Sequence, residues 1–372
     1  MKQIFKAFAL SSIVFSSVVG MEFGTMGSQS FGMAGAGVAV KKSPWGLYYN
    51  PALIAADSSF KLGLFAEAHS RSKNFWSIFN RNFKNLNAKD IQDLQSLLQD
   101  NSIGLGSQDG AVLQLPDFGI GAFAVGGFLK IAAQGSAHAN LSDLSHKTTI
   151  EDLGLGAKFS ALTLIEVPVG YAYEFKTPVG ELSIGVAAKY MNFSGTSGNF
   201  RFSNNANITD PFKNLLKIDL GKSVSNIGVD VGVVYEPVKY ITLGVVGKNL
   251  NAPSFDLGFD KIKIDPQARA GLALNIGFWT LAVDGDLTKN KFLGSEINNQ
   301  MISVGSTLDF KYIALRGGIA TDLQNKDDLI FSLGLGLAFF DVGVQFGKKT
   351  NPLNGFPMPD YLAVQVGAGF SF

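Results

Sequence analysis

The C-terminal end of the chain carries its most regular pattern of apolar and polar positions. From Tyr361 onward every second residue is apolar, and the set runs Leu362, Val364, Val366, Ala368, Phe370 and Phe372. The residues between them are small or polar, and include Gln365, Gly367 and Gly369. Because successive side chains of a strand point to opposite faces, this pattern predicts a strand whose apolar face suits lipid and whose small, polar face suits a lumen.

The same two-faced pattern recurs along most of the chain. It is clear over 181–196, 224–236, 328–338 and 339–347. Together with weaker examples it predicts strands near 59–69, 109–115, 118–133, 157–175, 181–196, 224–236, 239–249, 266–276, 278–287, 299–309, 311–320, 328–338, 339–347 and 360–372.

The predicted connections alternate between short and long. Short turns are expected at 116–117, 177–180, 237–238, 277, 310 and 338–339, with long connections between them. Membrane barrels have short periplasmic turns and longer outer loops, whereas a soluble sandwich does not sort its loops in this way. The prediction is therefore an all-β fold, a transmembrane antiparallel β-barrel of about fourteen strands with both chain ends on the periplasmic side.

Composition supports a membrane barrel and narrows the functional classes. The 372 residues are 46% hydrophobic and only 16% charged, with 43 glycines and 31 phenylalanines. The net charge of +1 gives no indication of a nucleic-acid partner. There is no cysteine, and the three histidines lack metal-ligand spacing, so neither a metal nor a cofactor is expected.

The chain divides into three predicted parts. Residues 1–20, with Lys2 and Lys6 before an apolar core, are expected to be a signal peptide that directs export. Residues 21–58 are compact and rich in glycine and aromatic residues, and residues 59–372 form the barrel. The region 72–100 is expected to be a helical insertion in the first outer loop, because apolar residues recur there at helical spacing.

Charged residues at lumen-phase positions raise the question of what fills the barrel. The main set is Lys189, Asp230, Arg269, Asp284, Asp286 and Asp341, and Glu236, Lys248 and Arg316 share the same phase. A lumen of this width would leak if it were empty. Inward charge pairs that hold a plug are favoured over a polar path for solute, since both signs are present in similar numbers.

The segment before the first strand is the predicted plug, or hatch. Glycines such as Gly35 and Gly37 permit tight turns and close approach, and Pro51 requires Asn50 to be extended. The apolar and aromatic content disfavours a disordered tail. The plug motif is expected to comprise Gly35, Gly37, Tyr49, Asn50, Pro51 and Ala52.

These residues resemble the FadL-like outer-membrane proteins, a group that includes long-chain fatty-acid and hydrocarbon transporters. The matching pattern is a small-residue run, Gly35 to Ala39, followed by Tyr48-Tyr-Asn-Pro-Ala52. Further segments, 166–171, 185–189 and Lys248-Asn-Leu-Asn251, are similar to the TraF-like and PorV-like branch. The resemblance covers the mature chain and implies a fourteen-stranded barrel that is plugged by its N-terminal part.

The resemblance also implies a function, passive uptake of a hydrophobic small molecule through the outer membrane of a Gram-negative bacterium. The outer helices would then form a ligand groove lined by Phe75, Trp76, Phe79, Phe83, Ile91, Leu94 and Leu98. Equally, these helices could bury their apolar stripes against each other and cap the barrel.

Two alternatives to transport remain open. One is a non-transporting scaffold or assembly factor of a conjugation or secretion apparatus. The other is a rim hydrolase that uses His69 or His138, although no enzymatic activity is expected. The expected partners are outer-membrane lipid, a hydrophobic ligand, and the barrel-assembly machinery through the terminal Phe372.

Overall fold

Fourteen antiparallel strands form one closed barrel in the computed structural model, which describes residues 24–74, 93, 96–98, 101–138, 156–201, 222–258, 261–291, 298–324, 329–353 and 356–371. In chain order the strands are β1 (Lys61–Lys73), β2 (Ser102–Gln114), β3 (Ala122–His138), β4 (Gly156–Thr177), β5 (Gly180–Arg201), β6 (Ser223–Val238), β7 (Ile241–Lys248), β8 (Gln267–Ile276), β9 (Trp279–Asp286), β10 (Met301–Asp309), β11 (Ile313–Asp322), β12 (Leu329–Leu337), β13 (Phe340–Gly347) and β14 (Tyr361–Ser371). The predicted all-β fold, its antiparallel barrel and its strand number are confirmed.

Each strand pairs with the next one along the chain, and β14 closes the barrel on β1. The closing register runs from Lys61 opposite Ser371 to Arg71 opposite Tyr361. The alternation in the sequence becomes the two faces of this wall. On β4, for example, Val167 and Val169 are exposed on the outside, whereas Glu166 and Pro168 are buried inside.

The connections alternate in length as predicted. Residues 115–121, 178–179, 239–240, 277–278, 310–312 and 338–339 make the short turns at one end of the barrel, here called the turn end. The long connections lie at the opposite loop end. Among the described residues, three of them contain a small two-stranded hairpin: Ser254–Asp256 with Lys261–Lys263, Asn290–Lys291 with Asn298–Asn299, and Thr350–Leu353 with Phe356–Pro359.

Several strands extend beyond their predicted ends. β1 continues to Lys73, so Ser72 and Lys73 belong to the wall and not to the predicted insertion at 72–100. β4 and β5 have 22 residues each and stay paired over that whole length. The prediction ended these strands where apolar alternation fades. Backbone hydrogen bonds continue there because they do not require apolar side chains.

Part of the sequence-based prediction falls outside the described residues. The expected signal peptide lies there, as do Phe75, Trp76, Phe79, Phe83, Ile91, Leu94 and the terminal Phe372. Of the predicted groove residues, only Leu98 is described, and it is half-buried. Within the described residues, no helix is long and apolar enough to cross a membrane.

Residues 24–57, here called the N-terminal segment, pack against inward-facing residues of the wall. Three single-turn helices occur in it: α1 (Ser28–Gly32), α2 (Gly46–Tyr49) and α3 (Leu53–Ala56). Asn50, which follows α2, has φ −159° and ψ 109°, so the extended conformation predicted from Pro51 is confirmed. Most of the segment is buried, including Phe31, Tyr49 and Ile54.

Candidate functional site

A belt of wall glycines surrounds the N-terminal segment. Twelve of the fourteen strands contribute one inward-facing glycine at which an added Cβ would press on this segment. Several glycines face each other across neighbouring strands, as Gly185 and Gly232 do. A Cβ at Gly185 would overlap the carbonyl carbon of Pro51. The belt therefore lets segment backbone lie directly on wall backbone, and it comprises Gly63, Gly110, Gly170, Gly185, Gly232, Gly244, Gly271, Gly305, Gly318, Gly334, Gly343 and Gly367.

Asn50 joins the N-terminal segment to the wall through its side-chain amide. Its Nδ2 lies 3.1 Å from the carbonyl oxygen of Val233 on β6 and 3.4 Å from that of Val245 on β7. The same nitrogen donates to the carbonyl oxygen of Val38, and Oδ1 accepts from the backbone N–H of Ala52 at 3.0 Å. One fully buried amide thus fixes two parts of the segment and two strands.

The glycine-rich turn of the segment is held by a carboxylate. Gly35 has φ +94°, a conformation that glycine adopts without strain, and its N–H donates to the carbonyl oxygen of Ser30. Oδ2 of Asp284 on β9 then accepts the backbone N–H groups of Gly37 and Val38 at 2.7 and 2.9 Å. Such charge-assisted bonds are among the stronger ones in proteins.

The predicted lumen charges all lie inside the barrel, but they differ in what they contact. Asp284 bonds to the segment, whereas Arg269 donates to Asp286 and Asp341 pairs with Arg316, which are contacts within the wall. Lys189 and Asp230 pair with each other at 3.2 Å. Polar side chains that the sequence analysis did not single out also hold the segment: Gln345 donates to the carbonyl oxygen of Phe31, and Ser28 donates to Gln365.

The end of the segment is attached at the turn end of the barrel. Asp57 accepts the backbone N–H of Lys42 at 2.8 Å and lies 3.2 Å from Nζ of Lys61. Burial opposes ionisation of this carboxyl, but the charge of Lys61 and these hydrogen bonds outweigh it and hold the pKa of Asp57 below its ordinary value. Nε2 of Gln114 donates to the carbonyl oxygens of Ile54 and Asp57, and Lys41 pairs with Glu236.

Towards the loop end, a polar cluster lies between the segment and strands β3 to β7. Glu166 forms ion pairs with two lysines: Oε2 lies 2.8 Å from Nζ of Lys130, and Oε1 lies 3.4 Å from Nζ of Lys189. Lys189 also forms an ion pair with Asp230. Nζ of Lys248 lies 4.1 Å from the centre of the Tyr48 ring, a cation–π arrangement. A cavity of about 10 Å³, room for about one water molecule, lies among these side chains. The cluster comprises Tyr48, Lys130, Glu166, Lys189, Asp230 and Lys248.

An apolar cluster lies next to the polar cluster, further towards the loop end. Strands β4 and β5 contribute inward-facing side chains, and the connection between β7 and β8 folds over them. The rings of Phe193 and Phe255 are 5.3 Å apart. The cluster consists of Leu162, Leu164, Met191, Phe193, Phe255, Leu257 and Ile264, and every member is buried. The sequence analysis treated 250–265 only as a long connection. The apolar side chains of Phe255 and Leu257 were the feature of this connection that could have indicated a buried contact.

The two candidate histidines lie at different places. His69 on β1 is buried inside the barrel, where Nδ1 contacts Glu67 and the ring lies 6.2 Å from the Tyr361 ring. It does not lie at the rim, as the hydrolase alternative expected, because β1 extends to Lys73. His138 is the last residue of β3 and is half-buried.

A family comparison identifies the chain. Residues 47–286 match the family model described as "F plasmid transfer operon, TraF, protein", which covers more than half of the sequence. The chain belongs to this TraF family. A comparison with curated proteins finds no match to this TraF-family chain.

Solved structures of FadL-type transporters share the fold. The Pseudomonas putida toluene transporter TodX is 14% identical, with a TM-score of 0.52 over 93% of this chain and 97% of that one. A Pseudomonas aeruginosa FadL homologue is 13% identical, with a TM-score of 0.53 over 96% and 98%. The Ralstonia pickettii toluene transporter TbuX is 16% identical, with a TM-score of 0.50 over 94% and 98%. The predicted resemblance to FadL-like proteins is confirmed, and at these identities it concerns the fold.

Proposed function

We propose that this TraF-family protein is a passive outer-membrane channel for a hydrophobic small molecule, a long-chain fatty acid or a hydrocarbon. The observation that carries the proposal is the buried apolar cluster inside the loop end of the lumen. A lumen that serves only polar solutes has no need for such a surface. Burying an alkyl chain there contributes about 0.8 kcal/mol per methylene.

The polar cluster favours a ligand with an acidic head group. Its three lysines outnumber Glu166 and Asp230 by one, so the cluster has a formal charge of +1. A ligand whose alkyl chain lies in the apolar cluster would place its head group beside these lysines. A carboxylate would balance the charge and accept hydrogen bonds, which favours a fatty acid over a hydrocarbon.

In this proposal the N-terminal segment is the hatch. The glycine belt, Asn50 and Asp284 support a tightly seated closure. The cavity holds about one water, so passage requires the hatch or the hairpin above it to move. The export signal at 1–20 and the outer groove from Phe75 to Leu98 stay part of this proposal.

A local weakness in the wall offers an exit for the ligand. The β3–β4 ladder is interrupted between the pairs Val125–Val169 and Phe128–Glu166, where Gly126 faces Pro168. Proline has no N–H to donate, so the wall has fewer hydrogen bonds at this point. Pro168 also lines the small cavity, and a modest separation of the two strands would connect the cavity to the membrane.

Uptake into liposomes tests the proposal. Purified full-length protein should admit labelled oleate faster than empty liposomes do, and a variant with both outer helices deleted should be slower if these helices form the groove. Equal uptake with and without protein would contradict the channel. Uptake that survives the deletion would contradict the outer groove but not the channel.

A scaffold or assembly factor of a conjugation or secretion apparatus is the second candidate. The TraF family match favours it, as does Asp109 on the outer face of β2, beside Ser107 and Ala111. Outward-facing carboxylates are unfavourable against acyl chains, so a protein neighbour would relieve this cost. Asp109→Ala should then reduce co-purification with secretion proteins while leaving oleate uptake unchanged. Co-purification that does not change would count against a neighbour at this face.

A further inference from the structure

Asn249 is a fully buried amide between the polar cluster and the apolar cluster. Neither Nδ2 nor Oδ1 of its side chain has a hydrogen-bond partner among the described residues. Buried polar side chains almost always have partners, because leaving one unpaired is destabilising. An amide that stays unpaired in the closed lumen is therefore available to a ligand.

The side-chain tips of Asn249, Lys189 and Met191 converge at Gly228 on β6. A Cβ at Gly228 would lie 2.7 Å from Cε of Lys189, 2.8 Å from Sδ of Met191 and 2.9 Å from Oδ1 of Asn249. Lys189 belongs to the polar cluster and Met191 to the apolar cluster. The amide thus lies where an alkyl chain in the apolar cluster would end and a head group beside the lysines would begin.

The backbone alone does not explain an asparagine at this position. Asn249 has φ +52°, a left-handed conformation that asparagine tolerates well. However, Ala252 in the same turn has φ +49°, so this turn accepts alanine in the same conformation. The backbone N–H of Asn249 is fixed separately, by Oδ1 of Asp230 at 2.8 Å. The side-chain amide is therefore not needed to hold the turn.

We propose that Asn249 is a specificity-determining residue that hydrogen-bonds to the acidic head group of a single-chain amphiphile. The inference rests on the proposed function, since it assumes that the alkyl chain occupies the apolar cluster. Nδ2 of Asn249 donates to a head-group oxygen, and Lys189 and Lys248 supply the positive charge. A hydrocarbon without a head group gains nothing from this amide.

Binding of two chain-matched probes to full-length protein in nanodiscs tests the assignment, with empty nanodiscs as background. The probes are labelled dodecanoate and labelled dodecane. Asn249→Gly keeps the left-handed backbone and removes the amide, so it should weaken dodecanoate binding about tenfold and leave dodecane binding unchanged. Asn249→Asp also tolerates this backbone but adds a negative charge, and should weaken dodecanoate binding further.

Ala252→Gly is the matched control, because it changes a residue of the same turn whose φ of +49° is close to that of Asn249. It should leave the binding of both probes unchanged. If Asn249→Gly and Asn249→Asp both bind dodecanoate like the wild type, the residue serves the backbone only and the inference is overturned. If the wild type binds neither probe above background, the proposed function fails as well, and the two failures are thus distinguishable.

Discussion

The two halves of the lumen are filled in different ways. At the turn end, wall glycines allow the N-terminal segment to lie backbone against backbone, and Asn50 and Asp284 bond to main-chain groups. At the loop end, large side chains of β4 and β5 meet large side chains of a short hairpin. A backbone contact is intolerant of added atoms, whereas a contact between apolar side chains can separate and reform. We call the glycine-belt contact with the N-terminal segment the seat. We call the hairpin Ser254–Asp256 with Lys261–Lys263, which packs on the apolar cluster and can separate from it, the cover.

The largest effect on the packing of the N-terminal segment is expected from a larger side chain in the glycine belt. Gly185→Val places three carbons where Pro51 lies, so the N-terminal segment cannot take its place. The cost exceeds the ~1–3 kcal/mol of ordinary overpacking, because the opposing atoms are backbone. Planar-bilayer recordings should show a rise in conductance, and limited proteolysis should cut the segment.

Gly285→Val is the control for this substitution. Gly285 also lies on the wall, but it faces outward, and an added Cβ there would make only an ordinary contact, 3.9 Å from Cγ1 of Ile302. This variant should conduct like the wild type. A closed, protease-resistant Gly185→Val barrel would show that the seat is more adaptable than the belt indicates.

The second-largest effect is expected on the cover, where a substitution at Phe255 should loosen its packing. Phe255→Ala removes the ring that packs on Phe193, at a cost of about 3–5 kcal/mol for a buried phenylalanine. The hairpin should become accessible to protease, while the N-terminal segment stays protected. Mass mapping of the early fragments distinguishes the two sites. Early cleavage within residues 24–57 would mean that seat and cover are coupled rather than separate.

A smaller effect is expected from Asn50→Ala. The substitution leaves two wall carbonyls and one segment carbonyl without this donor, at about 1–3 kcal/mol in total. The glycine belt should still hold the segment, so proteolysis should be faster than in the wild type but slower than in Gly185→Val. The matched control is Asn192→Ala, whose amide bonds to Ser225 on the outer face and should not affect the segment. Cleavage of Asn50→Ala at the wild-type rate would contradict the anchoring role.

The smallest effect is a pH dependence of the attachment at Asp57. Since the folded pKa is depressed, the ionised carboxyl contributes stability above its unfolded pKa of about 3.9, and this is lost as the pH falls through the folded value. Protease protection of residues 39–57 should therefore decrease below about pH 4, measured with an acid-active protease. Asp57→Asn should flatten this dependence. A wild-type profile that is itself flat in this range would argue against the attachment.

Much of the fold was predictable from the sequence because a barrel wall has a two-residue period. The pattern from Tyr361 to Phe370 gave the last strand, and the short turns at 277–278 and 338–339 gave the alternation of connections. The lengths of β1, β4 and β5 were not predictable in the same way. Their outer parts carry mixed side chains, and only pairing with neighbouring strands keeps them in the sheet.

The candidate site was predicted only in part. Proline after Asn50 determined its extended backbone, but nothing local indicated that its amide reaches Val233 and Val245. Glu166 and Asn249 lie in segments that resemble the TraF-like branch, and Phe255 lies in a predicted long connection. None of these residues was assigned a role, because the sequence does not show which side chains meet across the lumen.

The sequence by itself thus determined which residues face inward, since alternation depends only on the strand's own geometry. The tertiary structure decided which of these residues meet, because strand register and barrel closure bring together residues that are hundreds of positions apart, such as Gly37 and Asp284.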